Sequence, residues 1–537
     1  MLNHSKAIKS KLFLIGGVFL GISALVFPIF QGHLILVDPF HYGEFFAATT
    51  GLFPDSNIPF YPLTIHGALD FIPGILAENY WGANHYFLPT FGIYKFLSFF
   101  ASVFLVLNAY ELTRGKAHQG LLLIAVSAVA PLFVGYRDVV LLISLYIFFK
   151  LIDVKARRDW EIIKQITFGS IVAFGIFWSF DRGIAGAVSF GSAVLVLLVR
   201  SRLYFFSILS FFSVIVSLGL IFEIFSFENY FRNLFLLIKT SSQWSYGWRK
   251  GPVFLTLLAI VLNLAVIYIL VRESSKAKLL TERFPIVLCF ALLSLFMLKM
   301  GINRADIQHI YFSCWIPVLV LFFLYEKEFT IREIDIFLYG ILICTVILMI
   351  LFKSSGLAMV AGIFLLTVFR PKGEFLKKFT IRSFVFLIVV CLGFPVYVSV
   401  KAFSGGHYNW VKSFYTPVSN RLSATDGVVW ASDRLQAQSV QCVFDMSNNG
   451  VINGLIRRPS CSRFTYPIYA NSEYESILIS DLRSASPKAI VYSSTYWSYS
   501  IDGKDMRVRF PDLDKFILKN YPKEDCNHGY CIRYKEI

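Results

Sequence analysis

Apolar runs of roughly 15–25 residues, separated by short polar stretches, recur along the chain from residue 12 to residue 400; that is the length a helix needs to cross a bilayer. In lipid the backbone N–H and C=O groups have no water to pair with, so these runs must be helices. The candidate spans are 12–31, 87–110, 119–136, 138–152, 166–180, 184–199, 203–225, 253–271, 284–299, 310–325, 335–352, 356–370 and 381–400. Two of them, 138–152 and 356–370, are short for a crossing and need flanking residues or local thinning of the bilayer. Composition agrees. Of 537 residues, 56% are hydrophobic and 16% charged, against about 25% charged in ordinary globular chains. The expected fold is a polytopic α-helical membrane protein of about thirteen transmembrane helices with a C-terminal extracytoplasmic α/β domain.

Sidedness follows from the cations. Lys6, Lys9 and Lys11; Arg114 and Lys116; Lys155, Arg157 and Arg158; Arg200 and Arg202; Arg272, Lys276, Lys278 and Arg283; and Lys372, Lys377, Lys378 and Arg382 occupy one alternating set of loops. Placing that set in the cytoplasm puts the N-terminus inside, and an odd number of spans puts the C-terminus outside. The net charge of +16 is thus spent along a membrane surface, and no nucleic-acid partner is expected. Leu12–Gln31 lacks a small-residue cleavage exit and reads as a first helix and signal anchor. The expected location is the plasma (inner) membrane.

Cysteines test the same assignment independently. Cys289, Cys314, Cys344 and Cys391 lie inside apolar spans and read as core packing. The other four, Cys442, Cys461, Cys526 and Cys531, all fall in the polar tail. Four cysteines allow three pairings, of which sequence proximity favours Cys442–Cys461 and Cys526–Cys531. Disulfides belong to oxidising compartments, which agrees with an outside C-terminus.

Residues 1–400 therefore read as the membrane domain and 401–537 as a periplasmic or extracellular α/β domain. Within the first, the external loop 32–86 is too apolar and aromatic for a floppy linker. Its stretch "LTIHGALDFIPGILAENYWG" predicts one or two short helices along the membrane surface, anchored by Tyr80 and Trp81. In the tail, "AIVYSS" and "RVRF" alternate as strands do, and "DLDKFILKNY" has helical spacing.

With this topology, polar residues of mixed kind gather on the outside face. "VDPFHYGEFF" contributes Asp38, His41 and Glu44; if the chain turns helical after Pro39, His41 and Glu44 share a face. A carboxylate there can act as a general base, and Asp38 with Glu44 can ligate a divalent cation. Asp38 as a simple helix cap ahead of Pro39 is the plainer reading, and the two are compatible. "KMGINRADIQHIYF" brings Lys299, Arg304, Asp306 and His309, which suit a phosphate or pyrophosphate, or else an Arg–Asp pair tying two helix ends. Arg137–Asp138 in "GYRDVV" and Asp181–Arg182 in "FDRG" resemble ordinary salt-bridge or snorkelling features more than a site. Trp244 in "WSYGW" suits the membrane interface better than sugar stacking. Arg457, Arg458 and Arg463 could contact carbohydrate or brace a disulfide-bounded turn; the residues alone do not separate these. A Walker A loop, H-E-x-x-H and a G-x-S-x-G elbow are absent, which weakens an ATP-driven pump or a zinc protease.

Taken together, these residues resemble the GT-C superfamily of membrane glycosyltransferases, over the whole chain in architecture. The resemblance implies transfer of a sugar from a polyprenyl-phosphate-linked donor to a cell-envelope glycan or lipid acceptor at the extracytoplasmic face. It also implies an acidic motif in the first external loop, here Asp38 with Glu44 in place of a strict Asp-x-Asp. Asp38 would be the catalytic carboxylate, assisted by Glu44 or His41. Arg137, Arg182, Lys299 and Arg304 would hold the carrier phosphate, with Asp138, Asp181, Asp306, His309 and Trp244 lining the substrate site. Two other readings compete. An O-antigen-type polymerase or ligase would not need the acidic first loop. A flippase or transporter would place charges at mid-span, where this sequence has few.

Overall fold

The structure, a computed structural model, describes residues 40–51, 66–114, 134–152, 158–224, 283–304, 409–470, 472–493 and 505–536, with scattered helical positions between 126 and 130 and between 235 and 320. Spans expected at 12–31, 335–352, 356–370 and 381–400 lie outside the described residues, as do most of 119–136 and 253–271. So do Asp38, Trp244, Asp306, the side chain of Arg304, and Cys314, Cys344 and Cys391.

Two short helices of the segment 32–86, α1 (Gly43–Thr50) and α2 (Ile72–Trp81), precede the bundle. The bundle itself contains α3 (Phe87–Thr113), α4 (Val139–Ile152), α5 (Arg158–Trp178), α6 (Phe180–Leu198), α7 (Phe205–Ile224) and α8 (Arg283–Arg304). Five of the six are long and apolar enough to cross a membrane. The sixth, α4, has 14 residues, apolar around the helix apart from Ser144 and, in the last turn, Lys150. Leu142, Leu145 and Phe148 on it are fully buried, and its neighbours are α3, α5 and α6. An apolar surface nearly all round suits a helix enclosed by others, which is how so short a segment is held here. By contrast α7 leaves Phe212, Val216 and Leu220 more than half exposed, an apolar face matched to lipid.

In the tail, a four-stranded sheet has the order β1-β2-β4-β3, with β1 (Phe444–Asp445), β2 (Ala489–Ser493), β3 (Lys523–Asn527) and β4 (Tyr530–Tyr534). The β1–β2 pair is parallel and the other two pairs are antiparallel. Around it lie α9 (Asp426–Ala437), α10 (Gly450–Ile456), α11 (Glu475–Ala485) and α12 (Pro511–Asn520). One side of the core contains Leu478, Leu482, Ile490, Leu513 and Ile517, the other Val428, Leu435, Val491 and Ile532. That is the expected α/β arrangement. The "AIVYS" strand and the "DLDKFILKN" helix are where the sequence put them, but "RVRF" is not a strand. Met506–Arg509 is one helical turn, because the Asp505 carboxylate accepts the Arg507 N–H and caps it. Cys442 pairs with Cys461 and Cys526 with Cys531, as proximity favoured. The second bridge closes a hairpin whose two turn residues, His528 and Gly529, both have positive φ, the geometry of a type I′ turn.

The tail's core is not self-contained. Phe40 belongs to one of its clusters, and Phe46, Tyr86 and Phe87 belong to the other. Burying each aromatic ring stabilises the contact by roughly 1.5–3 kcal/mol. Asn420 reinforces the join: its Oδ1 accepts the Phe87 N–H at 3.1 Å, satisfying an orphan donor at the start of α3. Its Nδ2 donates to the Ala83 carbonyl at 2.7 Å. The α/β domain therefore sits at the end of the bundle where α3 begins.

Candidate active site

At that same end four chain segments converge: 40–51 and 66–72, both ahead of α3, the turn 135–138 before α4, and the α5–α6 junction at 178–182. Loop 66–72 is pinned by backbone. Leu69 N–H donates to the Phe177 carbonyl at 2.9 Å and Phe180 N–H to the His66 carbonyl at 2.6 Å. Gly67 permits the approach, since a Cβ there would lie 2.5 Å from the carbonyl oxygens of Phe177 and Trp178. The stretch expected to lie flat on the membrane as one or two helices is thus one helix, α2, preceded by a turn that folds inward. Tyr80 on α2 is exposed, whereas the Trp81 indole N–H points to the Phe414 carbonyl at 3.4 Å, an anchor on the tail.

The inward turn carries His66 and Asp70, which the sequence reading did not single out. His66 Nε2 lies 3.3 Å from Glu44 Oε2. Burial, and then the nearby positive charge of Arg137, hold the imidazole below its ordinary pKa of 6.5, so it is neutral at pH 7. A neutral ring that donates Nε2–H to Glu44 leaves Nδ1 as a bare acceptor, and Nδ1 is buried without a hydrogen bond. Asp70 is 2% exposed, and burial pushes its carboxyl well above the usual carboxylate range despite the opposing influence of Arg137. It is hydrogen-bonded to Tyr136, and its backbone carbonyl accepts from the Tyr94 hydroxyl. Its Oδ1, like Glu44 Oε1, is buried and unpartnered. Phe45 stacks on Tyr94 at 4.2 Å, and Tyr94 meets Tyr136 edge-on at 4.7 Å, walling the turn.

Beside it, the two adjacent Arg–Asp pairs form crossed bridges. Arg137 reaches Asp181 at 2.6 Å, and Arg182 reaches Asp138 at 2.7 Å and Asp181 at 3.1 Å. Ser179 Oγ donates to Asp181 at 2.9 Å, and Asp138 also accepts the Gly135 N–H at 2.9 Å. Arg182 touches Met300 Sδ, which brings the end of α8, and with it "KMGINR", alongside. The salt-bridge reading of these residues is correct for Arg182 and Asp138, which are almost fully buried. Arg137 keeps about a fifth of its side chain exposed and Asp181 about a third. Arg137 and Arg182 also line one small cavity, with Val140, Ser144 and Phe190.

His41 is exposed in the turn before α1 while Glu44 is buried on it, so the two do not share a helical face. Lys299 is exposed on α8, and His309 is half-buried beside Phe312. The tail arginines hold structure: Arg463 grips Asp481 with two nitrogens, Arg458 Nε donates to the Val440 carbonyl, and Arg457 pairs with Glu78 of α2. For a metal, Glu44 Oε1 and His66 Nδ1 are of the right chemistry. Among the described residues, however, the one trio close enough to share an ion is Glu524, Cys526 and Cys531, whose cysteines are joined in a disulfide.

No protein-family model and no curated protein matches the chain. Among solved structures, the chain is similar to ArnT from Cupriavidus metallidurans bound to undecaprenyl phosphate, at 13% identity and TM-score 0.51, over 96% of this chain and 98% of that one. It also aligns with the archaeal oligosaccharyltransferase AglB from Archaeoglobus fulgidus, in complex with an inhibitory peptide and a dolichol-phosphate. There the identity is 12% and the TM-score 0.49, over 99% of this chain and 74% of that one. The alignment to ArnT carries the conclusion about fold: the chain shares the polytopic membrane fold of that structure, with a C-terminal domain, over nearly its whole length.

Proposed function

We propose that this protein is a glycosyltransferase that moves a sugar from a polyprenyl-phosphate-linked donor to a cell-envelope glycan or lipid acceptor. The reaction site is the polar cluster, placed on the extracytoplasmic face by the positive-inside pattern. The observation that supports this most is the convergence of Glu44, His66, Asp70 and Arg137 from separate segments into one buried patch at a helix-bundle end. It is joined by the fold likeness to a structure that holds undecaprenyl phosphate.

The chemistry asked of such a site is modest. A carrier phosphate is already a good leaving group, so transfer needs a base for the acceptor and cations for the departing charge. Asp38, two positions ahead of Phe40, is the proposed base. Glu44 and the neutral His66 are the neighbouring proton-handling pair, with His41 at the mouth. If a divalent cation participates, Asp38 and Glu44 supply its oxygens and His66 Nδ1 suits it as a nitrogen ligand. Arg137 is the proposed phosphate contact, because a guanidinium with about a fifth of its side chain exposed can present its remaining N–H groups while Asp181 orients it. Arg182, Asp138 and Asp181 frame it. Lys299, Arg304, Asp306, His309 and Trp244 complete the proposed substrate-binding set. The lipid tail of the donor explains why the site is built from helix ends, within reach of the bilayer.

Asp38→Asn tests the assignment. With the variant inserted at wild-type levels, transfer of the sugar is expected to fall at least a hundredfold, the scale of general-base loss. Transfer undiminished by Asp38→Asn would remove the proposed base.

A further inference from the structure

Tyr466 of the α/β domain reaches into the external loop at the point where α1 begins. Its hydroxyl donates to the Phe40 carbonyl at 2.8 Å and accepts the Gly450 N–H at 3.1 Å. The same Phe40 carbonyl accepts the N–H of Glu44 at 3.2 Å. One oxygen thus accepts a hydrogen bond from the tail and another from the backbone of the residue whose carboxylate faces His66. Both aromatic rings are buried, with centroids 5.2 Å apart. Two glycines make the approach possible: a Cβ on Gly450 would lie 1.9 Å from the Gly43 carbonyl oxygen, and one on Gly43 would lie 2.8 Å from Gly450 N.

The tail side of this contact is itself rigidly built. Asp445, at the end of β1, accepts the Ser447 N–H at 2.7 Å and the Asn449 N–H through its two carboxylate oxygens. The Asn449 amide donates to the Tyr530 hydroxyl at 2.7 Å, and its Oδ1 accepts the Val451 N–H. Asn448 Oδ1 takes the Ile468 N–H. The turn 445–449 thereby fixes Gly450, and Gly450 fixes the Tyr466 hydroxyl.

We infer that Tyr466 is a positioning residue of the reaction site, and that the α/β domain, through Tyr466 and the 445–450 turn, sets where the Phe40–Glu44 segment lies. The inference rests on the proposed glycosyltransferase reading for its effect on turnover, but not for its effect on the loop. Tyr466→Phe keeps the ring and removes only the hydroxyl. In the full-length protein in lipid nanodiscs, amide hydrogen exchange is expected to rise about tenfold in peptides covering 41–48, the scale of one lost buried hydrogen bond. Peptides covering α12 should be unchanged. Turnover should fall about tenfold with the donor KM altered less than twofold. Gly450→Ala, which wedges the two segments apart, should raise exchange at 41–48 at least as much.

Unchanged exchange at 41–48 in Tyr466→Phe overturns the inference, and so does an equal rise throughout the tail, which marks plain destabilisation. Raised local exchange with unaltered turnover overturns the claim of positioning for the reaction. Raised local exchange in Tyr466→Phe, when the wild-type protein itself transfers no sugar, supports control of the loop by Tyr466 and sinks the glycosyltransferase reading instead.

Discussion

Arg137 and Arg182 carry the same charge at the same end of the bundle, yet their surroundings assign them different work. Arg182 is nearly buried and divided between Asp138 and Asp181. Removing one partner of a buried pair leaves the other charge stranded, at a cost of about 3–5 kcal/mol. Arg182→Ala should therefore lower thermal stability sharply, and Arg182→Ala with Asp138→Asn should cost less than the sum of the two singles. Arg137 is partly exposed and shares its aspartate. Arg137→Ala should shift the melting temperature less than Arg182→Ala but raise the donor KM about tenfold, on the scale of one lost charged hydrogen bond. An equal stability loss in the two variants, with KM unmoved, would assign Arg137 to structure as well. The adjacent Arg–Asp dipeptides were visible in the sequence, but their crossed pairing was not, because it depends on how α4 and α6 align. His66 and Asp70 were overlooked for a related reason. They lie in a stretch expected to run along the membrane surface, and nothing local shows that backbone bonds to Phe177 and Phe180 turn it inward.

At the scale of elements, the 445–449 turn and the disulfides carry separate expectations. Burial raises the Asp445 carboxyl from its ordinary 3.8 to about 6, although hydrogen bonds from Ser447 and Asn449 oppose this. Between those values the folded state keeps a proton that the unfolded chain has released, so stability falls as pH rises through the window, by up to about 3 kcal/mol. Asp445→Asn cannot ionise and should lack that slope. Unfolding curves at pH 4 and pH 7 should show the wild type losing ground to the variant, and parallel pH dependence would contradict the assignment. The Cys442–Cys461 bridge spans 19 residues and Cys526–Cys531 spans 5. Paired serine replacement of the first should destabilise the tail by about 3 kcal/mol and of the second by less, because the longer loop gains more unfolded-state entropy. Melting temperatures of the two double variants check the order. The start of α3 at Phe87 was readable from the hydrophobic run, whereas α6 begins at Phe180, four residues ahead of the expected 184, because its first turn carries the polar Asp181 and Arg182. "RVRF" misled because alternation over four residues is weaker than one Asp cap.

For the whole molecule, the apolar runs and basic loops disclosed a polytopic chain with a disulfide-bearing tail, since bilayer thickness and redox chemistry act on sequence directly. The dependence of the tail on the external loop was not readable. Nothing local marks Phe40, Phe46, Tyr86 and Phe87 as core residues of a domain that starts more than three hundred positions later. That join sets the α/β domain against the segment that carries Glu44, one of the four members of the polar cluster. The central claim, transfer of a lipid-linked sugar to the cell envelope, is tested most directly by mass spectrometry of envelope glycans and lipids. Cells making the wild-type protein should be compared with cells making correctly inserted Asp38→Asn and with cells lacking the protein. The account predicts a sugar-sized mass increment on one envelope component in the first and its loss in the other two; identical envelopes in all three would contradict it.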